Sequence, residues 1–262
     1  MKQPDKILAL DAAGAACSAA VWCNGGVAAH CFETMSRGQS ERLVPMADQV
    51  MAQTGLDYGQ LDAIAVTLGP GGFTGVRIGL ATARAFALAL GIPVIGVSNF
   101  EAVAAAALPQ ECAGRSLAVV LDAKRADLYV QAFVLRDPAD LETTDLETAN
   151  LNSGAMGRLE SLTEPAALLP EALTAALPGG PLLLIGDAAD VAADALRAAG
   201  RSVEVSRGSG FADAARVAAL AASRPLPDGN MPAPGPLYLR APDVTLPGGR
   251  PFGARPGAVR SS

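Results

Sequence analysis

Histidine is nearly absent from this chain. Its 262 residues include one, His30, so no pair of imidazoles four apart can share a helix face and hold a catalytic metal. The four cysteines, Cys17, Cys23, Cys31 and Cys112, form no C-x-x-C pair. A structural zinc site is therefore not expected, and scattered thiols fit a reducing, cytoplasmic compartment. Aromatic residues make up only 4% while half the residues are apolar, which predicts a core packed by close backbone approach rather than by rings. No uncharged apolar run reaches the ~18 residues of a membrane span; the longest candidate is broken by Arg77, Arg84, Gly91 and Pro93. A leader peptide is not expected either, because Pro4 and Asp5 separate Lys2 from Lys6 and Asp11 cuts the first apolar run short. A basic excess is missing too. The net charge of −6 argues against a freestanding nucleic-acid binder, though not against a subunit of an RNA-processing assembly.

What is present is a glycine-rich turn, Gly69-Pro70-Gly71-Gly72-Phe73-Thr74-Gly75-Val76-Arg77-Ile78-Gly79. It follows an apolar run, Leu61 to Val66, that reads as a buried strand, and precedes an Ala-rich run, Ile78 to Leu90, that reads as a helix. Free N–H groups at such a turn suit an anion or a closely approaching backbone. No Lys-Ser or Lys-Thr follows, and Thr74 stands where a G-x-G-x-x-G motif needs its last glycine, so neither standard phosphate loop is present. A G-x-S-x-G nucleophile elbow is also missing.

Around this turn the chain reads as two similar halves. In the first, a strand from Lys6 to Leu10 ends at Asp11, and a second runs from Cys17 to Cys23. Asn24-Gly25-Gly26 signals a hairpin, and a third strand runs from Val27 to Glu33. Ser40 is placed to cap a helix from Glu41 to Gln53, Gly55 ends it, and a strand at Ile92–Val97 closes the half. The second half has strands at Leu117–Leu121, ending at Asp122, and at Leu128–Leu135. A helical stretch at Glu164–Leu177, a strand at Pro181–Ile185, a helix at Ala188–Ala199 and a strand at Val203–Val205 follow. Each half opens on an apolar strand that ends in Asp and turns back. Two tandem βββαβα units are the plan of the two-lobed actin-like and sugar-kinase-like (ASKHA) α/β fold; an ordinary doubly wound domain is the alternative. The expected organisation is an N-terminal lobe at 1–105, a C-terminal lobe at 106–222, and a basic Pro/Gly-rich segment at 223–262 in which only Pro236–Arg240 is expected to be ordered. Between the strands of the second half, the acidic stretch 136–164 is expected to hold one irregular strand and a surface loop.

Several segments carry a resemblance. ILALDAAGAACSAAVW, SERLVPM, GPGGFTGVRIGLATARAFALALGIPVIGVS, LDAKRADLYV, LLIGDA and PLYLR together resemble, in order, the TsaB (YeaZ) family of tRNA threonylcarbamoyladenosine biosynthesis. The resemblance covers about residues 6 to 240. It implies a non-catalytic activating subunit that pairs as a heterodimer with a TsaD-type threonylcarbamoyl transferase through its first two helices. It also implies a TsaE-type ATPase as a further partner, contact with tRNA only through the complex, and a homodimer as the alternative when the partner is absent. No tightly bound cofactor or metal is implied; ATP or ADP with Mg2+ is a candidate ligand of the assembled complex. A small-molecule kinase or ATP-binding protein of the same fold is the alternative function, and a metallopeptidase-like protein a more distant one. Three positions depart from the family pattern: Ala12 stands for the usual Thr, Gln39 for His, and Lys124 for Arg. The first and third change the polarity of the expected cleft.

Candidate nucleotide-binding residues are Asp11, Gly69, Gly71, Gly72, Thr74 and Asp122. The two aspartates either hold a magnesium-bound nucleotide through water or cap tight turns at strand ends, and the glycines either cradle phosphate or let the following helix pack closely. Candidate partner-contact residues are Glu41, Arg42, Met46, Val50, Gly75, Gly79 and Ala83. The last three recur every four residues on one helix face, which either meets a partner helix or packs on the protein's own sheet. No catalytic residue is assigned, and His30, alone in a strand, is read as structural.

Overall fold

Two sheets with the same strand order organise the chain. In the computed structural model, residues 3–136, 158–227, 232–240, 245–246 and 250–251 are described. The first sheet comprises β1 (Ile7–Asp11), β2 (Ala16–Cys23), β3 (Gly26–Thr34), β4 (Ala63–Thr67) and β5 (Val94–Val97), in the order β3-β2-β1-β4-β5. Its helices are α1 (Gln39–Thr54) and α2 (Phe73–Leu90), followed by α3 (Asn99–Ala104) and α4 (Pro109–Cys112). The second sheet comprises β6 (Ser116–Asp122), β7 (Leu128–Arg136), β8 (Arg158–Ser161), β9 (Ala166–Leu168), β10 (Leu182–Ile185) and β11 (Val203–Val205). Its order is β11-β10-β6-β7-β8, with β9 also paired to β7. Its helices are α5 (Leu173–Ala176), α6 (Ala189–Ala198) and α7 (Ala214–Ala222).

The pairing confirms the duplication. β1–β2 and β6–β7 are antiparallel, while β1–β4–β5 and β6–β10–β11 are parallel. This is the two-lobed actin-like plan. Asn24 and Gly25 both take positive φ at the β2–β3 hairpin (54° and 77°), the geometry of a type I′ turn.

Three apolar layers hold the sheets. α1 and α2 cover the outer face of the first sheet through Leu43, Met46, Val50, Val76, Leu80 and Ala83, all buried. α5 and α6 cover the outer face of the second through Leu173, Ala192 and Leu196. The inner faces of both sheets share one core with α3 and α7, built on Ile7, Trp22, Phe100, Leu117, Phe133 and Val217. Within it the helices are exchanged: α3, which follows the first sheet, packs on β6 and β7, whereas α7, which follows the second, packs on β1, β2 and β4. The C-terminal lobe expected at 106–222 therefore loses its last helix to the other lobe.

Three local expectations are corrected. α1 begins at Gln39 with Gly38 (φ 94°) as its N-cap and no side-chain cap bond, so Ser40 lies inside the first turn. α2 begins at Phe73 rather than Ile78, placing Thr74 and Gly75 in the helix. By length and composition α2 is long and apolar enough to cross a bilayer, and its Val76, Gly79, Leu80, Ala83 and Ala87 are buried in the lobe. The helix expected at 164–177 is β9, a single turn at Pro170–Ala172, and the short α5. Proline at 170 donates no backbone bond and confines Leu169 to an extended conformation (φ −69°, ψ 148°), which stops a helix from crossing that point. Of the acidic stretch, β8 is observed, and Asp137, Asp140, Glu142, Asp145 and Glu147 lie outside the described residues.

Candidate functional site

A cleft of about 530 Å³ lies between the lobes, lined by both helix starts (Gly38, Gln39, Gly72, Thr74), by Arg37, and by Asp122, Lys124 and Asp187 of the second lobe. The turns that follow β1 (Ala13, Gly14), β4 (Pro70, Gly71) and β10 (Asp187), and the end of β6 (Leu121, Asp122), also line it.

The two strand-end aspartates begin alike. Asp11 Oδ1 accepts from the Ala13 N–H (3.2 Å), and Asp122 Oδ1 accepts from the Lys124 N–H (2.6 Å). Both thus cap a turn two residues on. Beyond that they diverge. Asp11 is fully buried and its Oδ1 also accepts from the Thr67 hydroxyl of β4 at 2.6 Å. Its Oδ2 has no hydrogen-bond partner among the described residues. Burial pushes its pKa up to about 6, against the hydrogen bond from Thr67, with the Asp213 charge adding to the rise. Asp11 does not line the cleft, so the structure does not bring it together with Asp122 as a metal–nucleotide pair. Asp122 does line the cleft and is ion-paired with Lys124 Nζ at 2.7 Å. Its partial burial raises its pKa, but the Lys124 bonds outweigh that and leave it lowered. The Asp122 N–H donates to Asp187 Oδ1 at 2.8 Å, and burial raises the pKa of Asp187.

The glycine-rich turn is filled by the protein itself. The Gly72 N–H donates to the Ala13 carbonyl at 2.8 Å. A Cβ on Gly71 would lie 2.3 Å from Ala13 O, and one on Gly75 would lie 2.1 Å from Ala12 O. Gly69 (φ 94°) is pinned from three sides. Its N–H donates to Asn99 Oδ1 (3.2 Å), its carbonyl accepts from the Asn99 N–H (2.8 Å), and Leu237 O lies 3.1 Å from where its Cβ would be. Gly69, Gly71 and Gly72 thus form a packing joint between the β1–β2 turn and α2, the close-packing alternative of the two readings that the sequence allowed. Of the expected nucleotide set, Gly71, Gly72, Thr74 and Asp122 reach the cleft.

The expected contact stripe also changes sides. Gly79 and Ala83 are buried, and a Cβ on Gly79 would meet Val66 Cγ2 of β4 at 3.4 Å. Met46 and Val50 are fully buried under α1. These four pack inside the lobe, while Gly75 is half-buried against Ala12 and lines the cleft. Glu41 is exposed, and Arg42 is ion-paired with Glu33 of β3. The solvent side of the same two helices carries Val44 and Leu88, the latter 87% exposed, with Ala81 and Ala85 also exposed.

Asp213 and Ser18, which the sequence did not single out, help tie α7 to the first sheet. His30 Nε2 pairs with Asp213 Oδ1 at 2.7 Å, which raises the His30 pKa against partial burial. Asp213 also caps α7, accepting from the Ala215 N–H at 2.8 Å. The Ala214 N–H donates to the buried Ser18 hydroxyl of β2 at 2.9 Å. His30 is thus a structural contact between β3 and the start of α7. Among the described residues no three His, Cys, Asp or Glu side chains group closely enough to hold a metal ion.

Known proteins share this chain's pattern. The family model described as TsaD, tRNA N6-adenosine threonylcarbamoyltransferase, matches residues 25–181. The chain is 40% identical over 124 residues to the tRNA threonylcarbamoyladenosine biosynthesis protein TsaB of Escherichia coli, covering 47% of this chain and 53% of that one. It is 48% identical over 69 residues to the tRNA N6-adenosine threonylcarbamoyltransferase of Erythrobacter litoralis, covering 26% of this chain and 20% of that one. The chain spans about half the length of the TsaB proteins it matches. A solved structure from Pseudomonas aeruginosa, described as similar to peptidase YeaZ, shares the fold at a TM-score of 0.70 and 24% identity, covering 90% of this chain and 100% of that one. With more than half of its length matched by the family model and about half of it aligned with TsaB proteins at 38–40% identity, the chain belongs to the TsaD-related family and, within it, to the TsaB (YeaZ) group.

Proposed function

We propose that this chain is a non-catalytic, activating subunit of tRNA threonylcarbamoyladenosine synthesis in the cytoplasm. It would bind and stabilise a TsaD-type transferase, with a TsaE-type ATPase as a further member and tRNA reached through the complex. The observation that carries this reading is the fate of the chain's single histidine, which is engaged with Asp213. The cleft therefore offers no imidazole to a metal or to a proton transfer, and the glycine turn is closed by the Ala12 and Ala13 carbonyls. The same closure counts against the kinase alternative, and the lone histidine against a metallopeptidase. Its effect on the partner is allosteric: it favours the competent state by binding that state more tightly.

The outer face of α1 and α2 is the surface proposed for the partner, with Leu88 at its centre. Leu88→Glu is expected to weaken binding to a TsaD-type protein at least thirtyfold, about 2 kcal/mol, because a charge there is desolvated at an interface centre. Its melting temperature should stay within a degree or two, since Leu88 touches solvent. A binding titration and a melt on the same preparation check this. Threonylcarbamoyl transfer to tRNA by the wild-type chain without a TsaD-type protein would overturn the subunit reading.

A further inference from the structure

The segment 232–240 crosses from one lobe to the other. It begins on α2, where Arg84 Nη2 donates to the Pro234 carbonyl at 2.7 Å. At the start of that helix, Arg77 Nε donates to the Tyr238 hydroxyl oxygen at 3.1 Å. The Tyr238 ring stacks on Phe73 (centroids 5.7 Å apart, 26° between planes), and the Arg77 guanidinium lies 3.6 Å from the Phe73 ring centroid. The Leu237 N–H donates to Leu68 O at 2.8 Å, just past the end of β4. Leu239 then packs on the core shared by the lobes. Finally Arg240 Nε reaches Asp127 Oδ2 at 2.8 Å, in the β6–β7 turn of the second lobe.

Two features make this more than a tail lying on a surface. Asp127 is 5% exposed, and a carboxylate at that depth needs a charged or hydrogen-bonding partner; the segment supplies one from its last residue. Both anchors also adjoin the cleft. Phe73 lines it on the first lobe, and Asp127 closes the turn whose Asp122 and Lys124 line it on the second. We propose that 232–240 is a brace that fixes the width of the interlobe cleft, with Tyr238 and Arg240 as its positioning residues. A brace couples its ends: releasing one anchor loosens the rim at the other. A set of unconnected surface contacts does not.

Amide hydrogen exchange on the full chain separates these cases. Tyr238→Ala removes the Phe73 stack and the Arg77 bond from the first-lobe end, leaving the backbone bonds of Pro234 and Leu237, and Tyr238 is itself 41% exposed, so this variant tests the brace even if others fold poorly. The expected result is at least tenfold faster exchange in the distant turn 122–128 as well as in 68–75, with β1 unchanged. Arg240→Ala should do the same from the other end, and Arg240→Lys should restore most of the protection. Faster exchange confined to the rim each variant touches, a uniform rise across all strands, or no change at either rim would overturn the brace.

Discussion

The same unit is built twice here, and its two copies treat an equivalent aspartate in opposite ways. In both lobes the first strand ends in Asp, and that Asp accepts a hydrogen bond from the backbone two residues on. In the first lobe the following residues are Ala12 and Ala13, whose carbonyls fill the space beside Gly75 and Gly71, and Asp11 is sealed in with its pKa raised to about 6. In the second lobe the residue two on is Lys124, which turns back to pair with Asp122 and leaves it facing the cleft with a lowered pKa. A shared fold position thus fixes where a carboxylate sits but not its charge. The next two residues, and what packs on them, decide that.

The contrast between sealed and open copies breaks most sharply at the glycines. Gly75→Ala should cost more than about 3 kcal/mol or prevent folding, because its methyl would stand where Ala12 O already is and rigid backbone must move. Gly79→Ala, one turn on, meets Val66 Cγ2 only at 3.4 Å, and should lie between neutral and about 1 kcal/mol stabilising through helix propensity. Equal losses in urea unfolding of the two variants would mean that the Ala12 joint is not specific.

Next in size is the charge on Asp11. Its folded pKa of about 6 exceeds the ordinary aspartate value of 3.8, so the folded state binds the proton more tightly and wild-type stability falls as pH rises between those values. Asp11→Asn removes that slope. Its stability relative to wild type should improve by about 2–3 kcal/mol between pH 4 and pH 8. Asp122→Asn, on a carboxylate 37% exposed and paired to a lysine, should change stability by less than about 1 kcal/mol. Its small penalty should fade as pH falls through the lowered Asp122 value. Denaturant unfolding at both pH values tests the pair, and parallel pH profiles for the two asparagine variants would erase the difference between the lobes.

Smaller again is the contact between β3 and the cap of α7. Asp213→Ala loses an N-cap, worth about 1 kcal/mol, and the partner of His30. The ion pair needs the raised His30 protonated and the lowered Asp213 ionised. Its share is therefore present below pH 6.5 and lost as pH rises through the folded-state His30 value, and it is also lost in acid as Asp213 protonates. The penalty of the variant should thus be larger at pH 5.5 than at pH 9, leaving the cap alone at the upper end; melting curves at both values read this directly.

Much of the framework was legible because it is written in local chemistry. The strands of both halves alternate with hairpin and cap signals, and the paired Asp-terminated strands announced the duplication. Four kinds of feature were not legible. α7 is AARVAALAA, so rich in alanine that no polar face marks it, and nothing local says that it crosses to the other lobe. Pro170 keeps a helix from crossing a stretch that the Ala and Leu content alone would have made continuous. The glycine turn and the small-residue stripe each admitted two readings, since a glycine that receives a ligand and one that receives a carbonyl look identical until the carbonyls of Ala12 and Ala13 are placed. The resemblance identified the family but could not choose between those faces. The pairs His30–Asp213 and Arg240–Asp127 join residues far apart in sequence, and no spacing rule reaches across such distances.

The exchange of α3 and α7 between the lobes has a consequence for how the chain is made. As the first 105 residues leave the ribosome they carry the whole first sheet, yet the helix that covers the inner side of β1, β2 and β4 is not encoded until residues 214–222. Throughout that interval an apolar sheet waits without its lid while α3, already synthesised, waits for β6 and β7. Neither lobe is a finished object by itself, and a gene cut between them would yield two fragments, each lacking a wall that the other carries.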